Sequence, residues 1–201
     1  MKKIIALLLI TLSFACKQKS NSDSIVKIEK RKIDTVLEEI LIKKYPNYLS
    51  NDLINEKATK ELVTKVDSLL ANGVLNEFPL KIMSISKNPH GKGALVQLYV
   101  DNGIFTEEKN HEGLLSNSVQ FDVIALMSEE KAEKLIKDEC YLVTGKTTRV
   151  NQNQLDILVK MSYYGASPSI EESYSDKKPM FKIGAFVVEV ESLKHYPIQL
   201  Y

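Results

Sequence analysis

Leu135-Ile136-Lys137-Asp138-Glu139-Cys140-Tyr141-Leu142-Val143-Thr144-Gly145-Lys146-Thr147-Thr148-Arg149, followed by Leu155-Asp156-Ile157-Leu158-Val159, is the stretch whose reading decides the fold. A short helix opens at Ser128-Glu129-Glu130-Lys131, with serine as cap and two acids in the first turn, and Leu135 and Ile136 are expected to give it a buried side. From Cys140 the apolar period changes from helical to alternating, which predicts a strand to Val150. Gly145 within it marks a bulge or sharp bend. Asn151-Gln152-Asn153-Gln154 reads as a polar turn, and Leu155 to Tyr164 as the next strand.

On the N-terminal side, three strands precede this stretch. Leu80 to Ser86 is the first, ended by the breaker-rich Asn88-Pro89-His90-Gly91-Lys92-Gly93. Ala94 to Asp101 alternates Leu95, Gln97 and Tyr99 against Ala94, Val96, Leu98 and Val100. Val119, Phe121, Val123 and Ala125 mark the third. Before Pro79 the pattern is helical. Ile33, Val36, Leu37, Ile40 and Leu41 give one apolar stripe from about Lys30 to Tyr45, ended by Pro46. A second helix, capped at Ser50 and stopped by Asn72-Gly73, carries Leu53, Leu62, Val66, Leu69 and Leu70 on one face. Lys30-Arg31-Lys32 reads as a solvated face. On the C-terminal side, a loop with Pro168, Glu171, Glu172 and Lys177-Lys178-Pro179 leads to a sixth strand from Phe181 to Val190.

The order strand-strand-strand-helix-strand-strand, carried by Leu135 to Arg149 and Leu155 to Val159, resembles the OB-fold superfamily and especially its bacterial tRNA-anticodon-like branch. The resemblance implies an α+β chain: an N-terminal helical hairpin over residues 30–79, then an OB-like domain over 80–201. That domain would be a small five-stranded β-barrel with one extra C-terminal strand. It also implies binding through one barrel face, using stacked aromatics.

The first residues address the chain elsewhere than the cytoplasm. Lys2 and Lys3, an apolar run from Ile4 to Leu12, then Leu12-Ser13-Phe14-Ala15-Cys16 form an export signal. The run falls short of the roughly 20 apolar residues that span a bilayer. Its end resembles the lipobox of bacterial lipoproteins, which implies removal of residues 1–15 and lipidation, such as palmitate, on Cys16. Residues 16–29 read as a flexible tether, since Lys17 to Ser24 after the cysteine is polar and without apolar residues. By the same resemblance, Lys17 in place of an inner-membrane retention aspartate implies an outer-membrane lipoprotein facing the periplasm of the cell envelope.

Composition narrows the function. With 27 basic and 26 acidic residues, and two lysines lost with the signal, the mature charge is close to minus one. The arginines are Arg31 and Arg149. Phosphate neutralisation needs clustered Lys and Arg, so nucleic acid is a poor partner; a single-stranded nucleic-acid-binding OB-fold is the alternative reading. Cys140 in its alternating strand reads as a small buried hydrophobe. The sequence has no phosphate loop, nucleophile elbow or HExxH, so we expect a non-enzymatic protein without cofactor or metal. His111 beside Glu107, Glu108 and Glu112 is the weak metal candidate. The expected partners are the bilayer through Cys16 and an envelope protein, glycan or small ligand. For the contact surface we expect Tyr163 and Tyr164 at the fifth strand's end, Tyr174 in the following loop, and Tyr99.

Overall fold

The computed structural model describes residues 30–100, 114–173 and 178–197. The signal, Cys16, the tether, the His111 loop and Tyr174 lie outside the described residues.

Helix α1 begins at Lys32–Leu37 and continues directly as a π-helical stretch, Glu38–Lys44, closed by a Tyr45 N–H to Ile40 carbonyl bond of 2.9 Å. Helix α2, Asp52–Ala71, is capped by Asn51, whose side chain accepts from Leu53 and Ile54 N–H. Serine at position 50 is therefore one residue before the cap. The buried stripe of α2 is Ala58, Leu62, Val66 and Leu70. Leu53 does not belong to it and is 72% exposed, because its position lies off the stripe that faces α1 and the sheet.

The strands are β1 Leu80–Lys87, β2 Ala94–Val100, β3 Val119–Met127, β4 Cys140–Val150, β5 Ser169–Glu172 and β6 Pro179–Tyr196. A short helix α3, Glu129–Ala132, capped by Ser128, separates β3 from β4, and helix α4, Gln152–Leu158, follows β4. The molecule is thus mixed helix and sheet. These six strands run in the order β3-β2-β1-β4-β6-β5 with antiparallel neighbours, and the sheet curls far enough for β6 to pair also with β3, in parallel. The β1–β4 seam is thin: Leu80↔Tyr141 and Lys81↔Cys140, prolonged by two bonds between Ile82 and the Asp138–Glu139 backbone.

Two sequence expectations need correction here. Residues 155–164 are not a fifth strand. Asn151 accepts from the Gln154 N–H and Gln154 returns a bond to the Asn151 N–H, a capping box that starts α4. Nor is the last strand an appendage. β6 pairs with β4 from Ala185 to Tyr196 and with β3 from Phe181 to Glu189, so it is the most connected strand of the sheet. Its short hairpin partner β5 falls where the sequence reads as loop. Gly145 does sit at a bulge, where the β4–β6 register shifts between Thr144 and Gly145. A Cβ there would lie 2.1 Å from the Glu189 carbonyl oxygen.

Alternation sends one side of each strand inward. Leu80, Ile82, Val96, Leu98, Phe121, Val123, Val143, Phe186 and Val188 pack in one cluster with Leu37, Ile40, Leu62, Val66 and Phe78 from the helical hairpin. Burial of this apolar surface is the main stabilising term. Arg31, which the sequence places on a solvated face, is instead buried. Its guanidinium donates to Ser116 Oγ (2.8 Å) and Asn117 Oδ1 (3.2 Å) and lies over the Phe78 ring. Asp34, also buried, accepts from the Ser116 N–H and hydroxyl. Lys30 and Lys32 on either side stay exposed and pair with Glu38 and Glu77. Arg149 of β4 reaches back to Asp67 of α2 and stacks on Phe186. Both arginines of the chain therefore bind the hairpin to the sheet.

Candidate functional site

The outward side of the sheet is the side of β2 and β3 that alternation leaves for water. Leu95, Gln97 and Tyr99 of β2 lie opposite Leu126, Ile124 and Asp122 of β3. A second, smaller apolar cluster forms over them, built from Leu95, Ile124, Val150, Leu155, Ala166 and Ala185. Its cover is α4 and the chain from Val159 to Ala166, a strap that makes no strand pairing with the sheet.

Polar side chains fasten the strap. Asp122 is fully buried, and its carboxylate accepts three consecutive backbone N–H groups: Tyr163 at 3.3 Å, Tyr164 at 2.8 Å and Gly165 at 2.9 Å. Gly165, at φ 84°, turns the backbone so that these amides converge on one anion. Burial pushes the Asp122 carboxyl above its ordinary value, and the three amides pull it back down. Gln97 holds the strap further along, donating to the Met161 carbonyl and accepting from Ser84. His90 meets the Ile157 carbonyl at 2.9 Å.

The seat fixes the tyrosines. Tyr99 and Tyr163 stack with centroids 4.2 Å apart and planes 13° from parallel. Tyr164 meets both rings edge-on and donates its hydroxyl to the Val100 carbonyl. Tyr163 is 56% exposed, and Ile157 and Met161 on the same strap are comparably open. Three of the four tyrosines expected at a contact surface are thus brought together, from elements more than 60 positions apart in the chain. Phe121 and Tyr141, by contrast, are core residues.

Sequence reasoning missed Asp122 and Gln97, which set the geometry. The signal was present: Asp122 stands between Phe121 and Val123 in an otherwise apolar strand, and a buried carboxylate demands partners. Chemically, the arrangement presents a rigid aromatic face backed by a second ring. Both oxygens of the Asp122 carboxylate are committed to the strap's amides. Among the described residues no cluster of His, Cys, Asp and Glu is arranged to hold a metal ion, and no helix is long and apolar enough to cross a membrane. Compared with known proteins, the chain matches no family model, no curated protein and no solved structure.

Proposed function

We propose that this protein is a lipid-anchored lipoprotein of the bacterial cell envelope whose sheet forms an OB-like, non-catalytic binding module. Its contact surface is the cluster of Tyr99, Tyr163 and Tyr164, and its ligand an envelope protein, glycan or small ligand. The lipobox-like Leu12 to Cys16 supports the anchor, and Lys17 in the place of a retention aspartate supports an outer-membrane position facing the periplasm. Support for the OB-like module comes from strand pairing. A small barrel needs two neighbours for every strand, and β1, β2, β3, β4 and β6 each have them. With β6 rather than residues 155–164 as the fifth strand, the ring strands follow strand-strand-strand-helix-strand-strand with α4 and β5 inserted between the last two.

The observation that carries the binding role is the Tyr99–Tyr163 stack on its buried seat. Ordering a side chain on binding costs about 0.5–1.5 kcal/mol, and this pair is ordered beforehand. The chain contains no tryptophan, so its emission comes from nine tyrosines, and the part of a ligand-induced change that Tyr163→Ala removes reports on the surface. Titration with envelope glycan fragments, together with photo-crosslinking from the exposed neighbouring position 161 in intact envelopes, should give a saturable signal that Tyr163→Ala abolishes. Equal signal from Tyr163→Ala would sink the assignment.

An exposed stacking platform also favours a second reading, single-stranded nucleic acid. Against it, both arginines are engaged internally and the overall charge is near zero. Salt-sensitive micromolar binding of single-stranded DNA that needs Tyr163 would reinstate it.

A further inference from the structure

The helical hairpin has a tip that its packing does not explain. Ile42, Leu49 and Leu53 are 58%, 44% and 72% exposed, and all three fall between the end of α1 and the first turn of α2. Folding alone would favour polar residues in such a turn. Tyr45 and Tyr48, half-buried, lie between Ile42 and Leu49. The exposed lysines Lys43 and Lys44 follow Ile42, and Lys57 stands one turn beyond Leu53 on the same side of α2. The nearby acids offset this charge only in part: Lys44 is paired, Glu39 is exposed four residues before Lys43, and Lys43 and Lys57 remain at the surface. Glu61 holds Lys44 and the Tyr45 hydroxyl, while Asp52 and Glu56 line the groove between α2 and β5.

We infer that this tip, Ile42 to Lys57, rests in the headgroup layer of an anionic bilayer, with Ile42, Leu49 and Leu53 as its apolar contacts. The inference rests on the lipoprotein reading. Exposed aliphatic side chains rimmed by tyrosine and lysine suit the boundary between acyl chains and headgroups. Lysine favours anionic lipid there. Chain length permits it. A segment as long as that from Cys16 to Glu29 reaches at most roughly 50 Å at full extension. Helix α1 with its π-helical continuation is only about 20 Å long at the usual rise. An anchor at Cys16 therefore confines the tip within reach of the same surface.

The test uses the acylated protein in phosphatidylglycerol–phosphatidylethanolamine vesicles. A fluorophore is placed on Leu53→Cys or, as control, on the exposed strand position Lys146→Cys. Brominated lipid should quench the label at position 53 at least three-fold more than that at 146. Equal, weak quenching at both sites in a protein that remains membrane-bound overturns the inference and leaves the anchor standing. A second arm uses the chain from residue 16 carrying Cys16→Ser, which keeps every described residue. It should sediment with phosphatidylglycerol vesicles, and Leu53→Asp should lower that partition at least five-fold with no change in melting temperature. Binding here without acylation of the native protein would remove the anchor and keep the tip contact. Unchanged partition overturns the inference. So does concentration-dependent self-association that Leu53→Asp abolishes without any vesicle binding, because the tip would then meet a second copy of the chain.

Discussion

The helical hairpin and the strap both cover the sheet, but they are held in different ways. The hairpin shares one apolar cluster with the sheet interior, in which Leu37, Leu62, Phe78 and Phe121 are all buried. The strap lies on the opposite side over a much smaller cluster and depends on the Asp122 carboxylate for its path. Apolar packing is forgiving in direction, whereas a carboxylate receiving three amides fixes the backbone that supplies them. One attachment therefore supplies stability, and the other supplies the position of the tyrosines.

The largest effect should come from the shared core. Phe121→Ala removes a ring that meets both Phe78 and Phe186 and should cost about 4 kcal/mol. Urea denaturation should show hairpin and sheet lost in one transition; separate transitions would break the picture of a single cluster. Asp122→Ala comes next, at about 3 kcal/mol, since it leaves buried amides unpaired. Hydrogen exchange should quicken at Tyr163, Tyr164 and Gly165 while the α2 amides keep most of their protection. Loss of protection everywhere would mean that the strap is not a separate attachment.

Gly184 sharpens the contrast because it touches both regions. At φ 105°, its missing Cβ would lie 2.4 Å from Arg149 Nη1, which belongs to the hairpin joint, and 3.0 Å from the Ala166 carbonyl, which ends the strap. Gly184→Ala should cost about 2 kcal/mol and disturb both exchange patterns together. An effect confined to one would assign β6 to that region alone.

The smallest effect is that of pH, and its sign differs between sites. Asp122 has a raised folded value, so its contribution is fullest below the ordinary aspartate value and is lost as pH rises through the raised one. Glu171, lowered by its bond from Ser169 and by Lys182, stabilises the β5–β6 hairpin above the ordinary glutamate value and loses that as pH falls through the lowered one. Its partial exposure keeps the effect to a fraction of about 1 kcal/mol. Denaturation midpoints between pH 3 and 7 should show the Asp122 dependence vanish in Asp122→Asn while that of Glu171 persists.

The same contrast explains what can be read beforehand. The hairpin and β1 to β4 follow from apolar period, and the start of the helix after Ser128 from its cap; that helix ends at Ala132, and Ile136, expected on its buried side, is exposed. Even so, the period puts Leu53 inside, since it does not say which edge of a stripe meets the core. The strap is unreadable for another reason. Leu155, Ile157 and Val159 alternate like a strand, and only the Asn151–Gln154 capping box betrays the helix. Its later course depends on Asp122, some 40 positions earlier, and on no local preference. The tyrosines read as exposed aromatics, but their stacking requires the fold.

Arg31 has one further consequence. Traction applied to the chain ahead of Lys30 enters the domain at the guanidinium and carboxylate that grip Ser116, at the threshold of β3. Part of the load passes from Arg31 directly to Ser116 and part through Asp34 in the first turn of α1, so the segment before β3 shares with the hairpin any pull from the amino-terminal side.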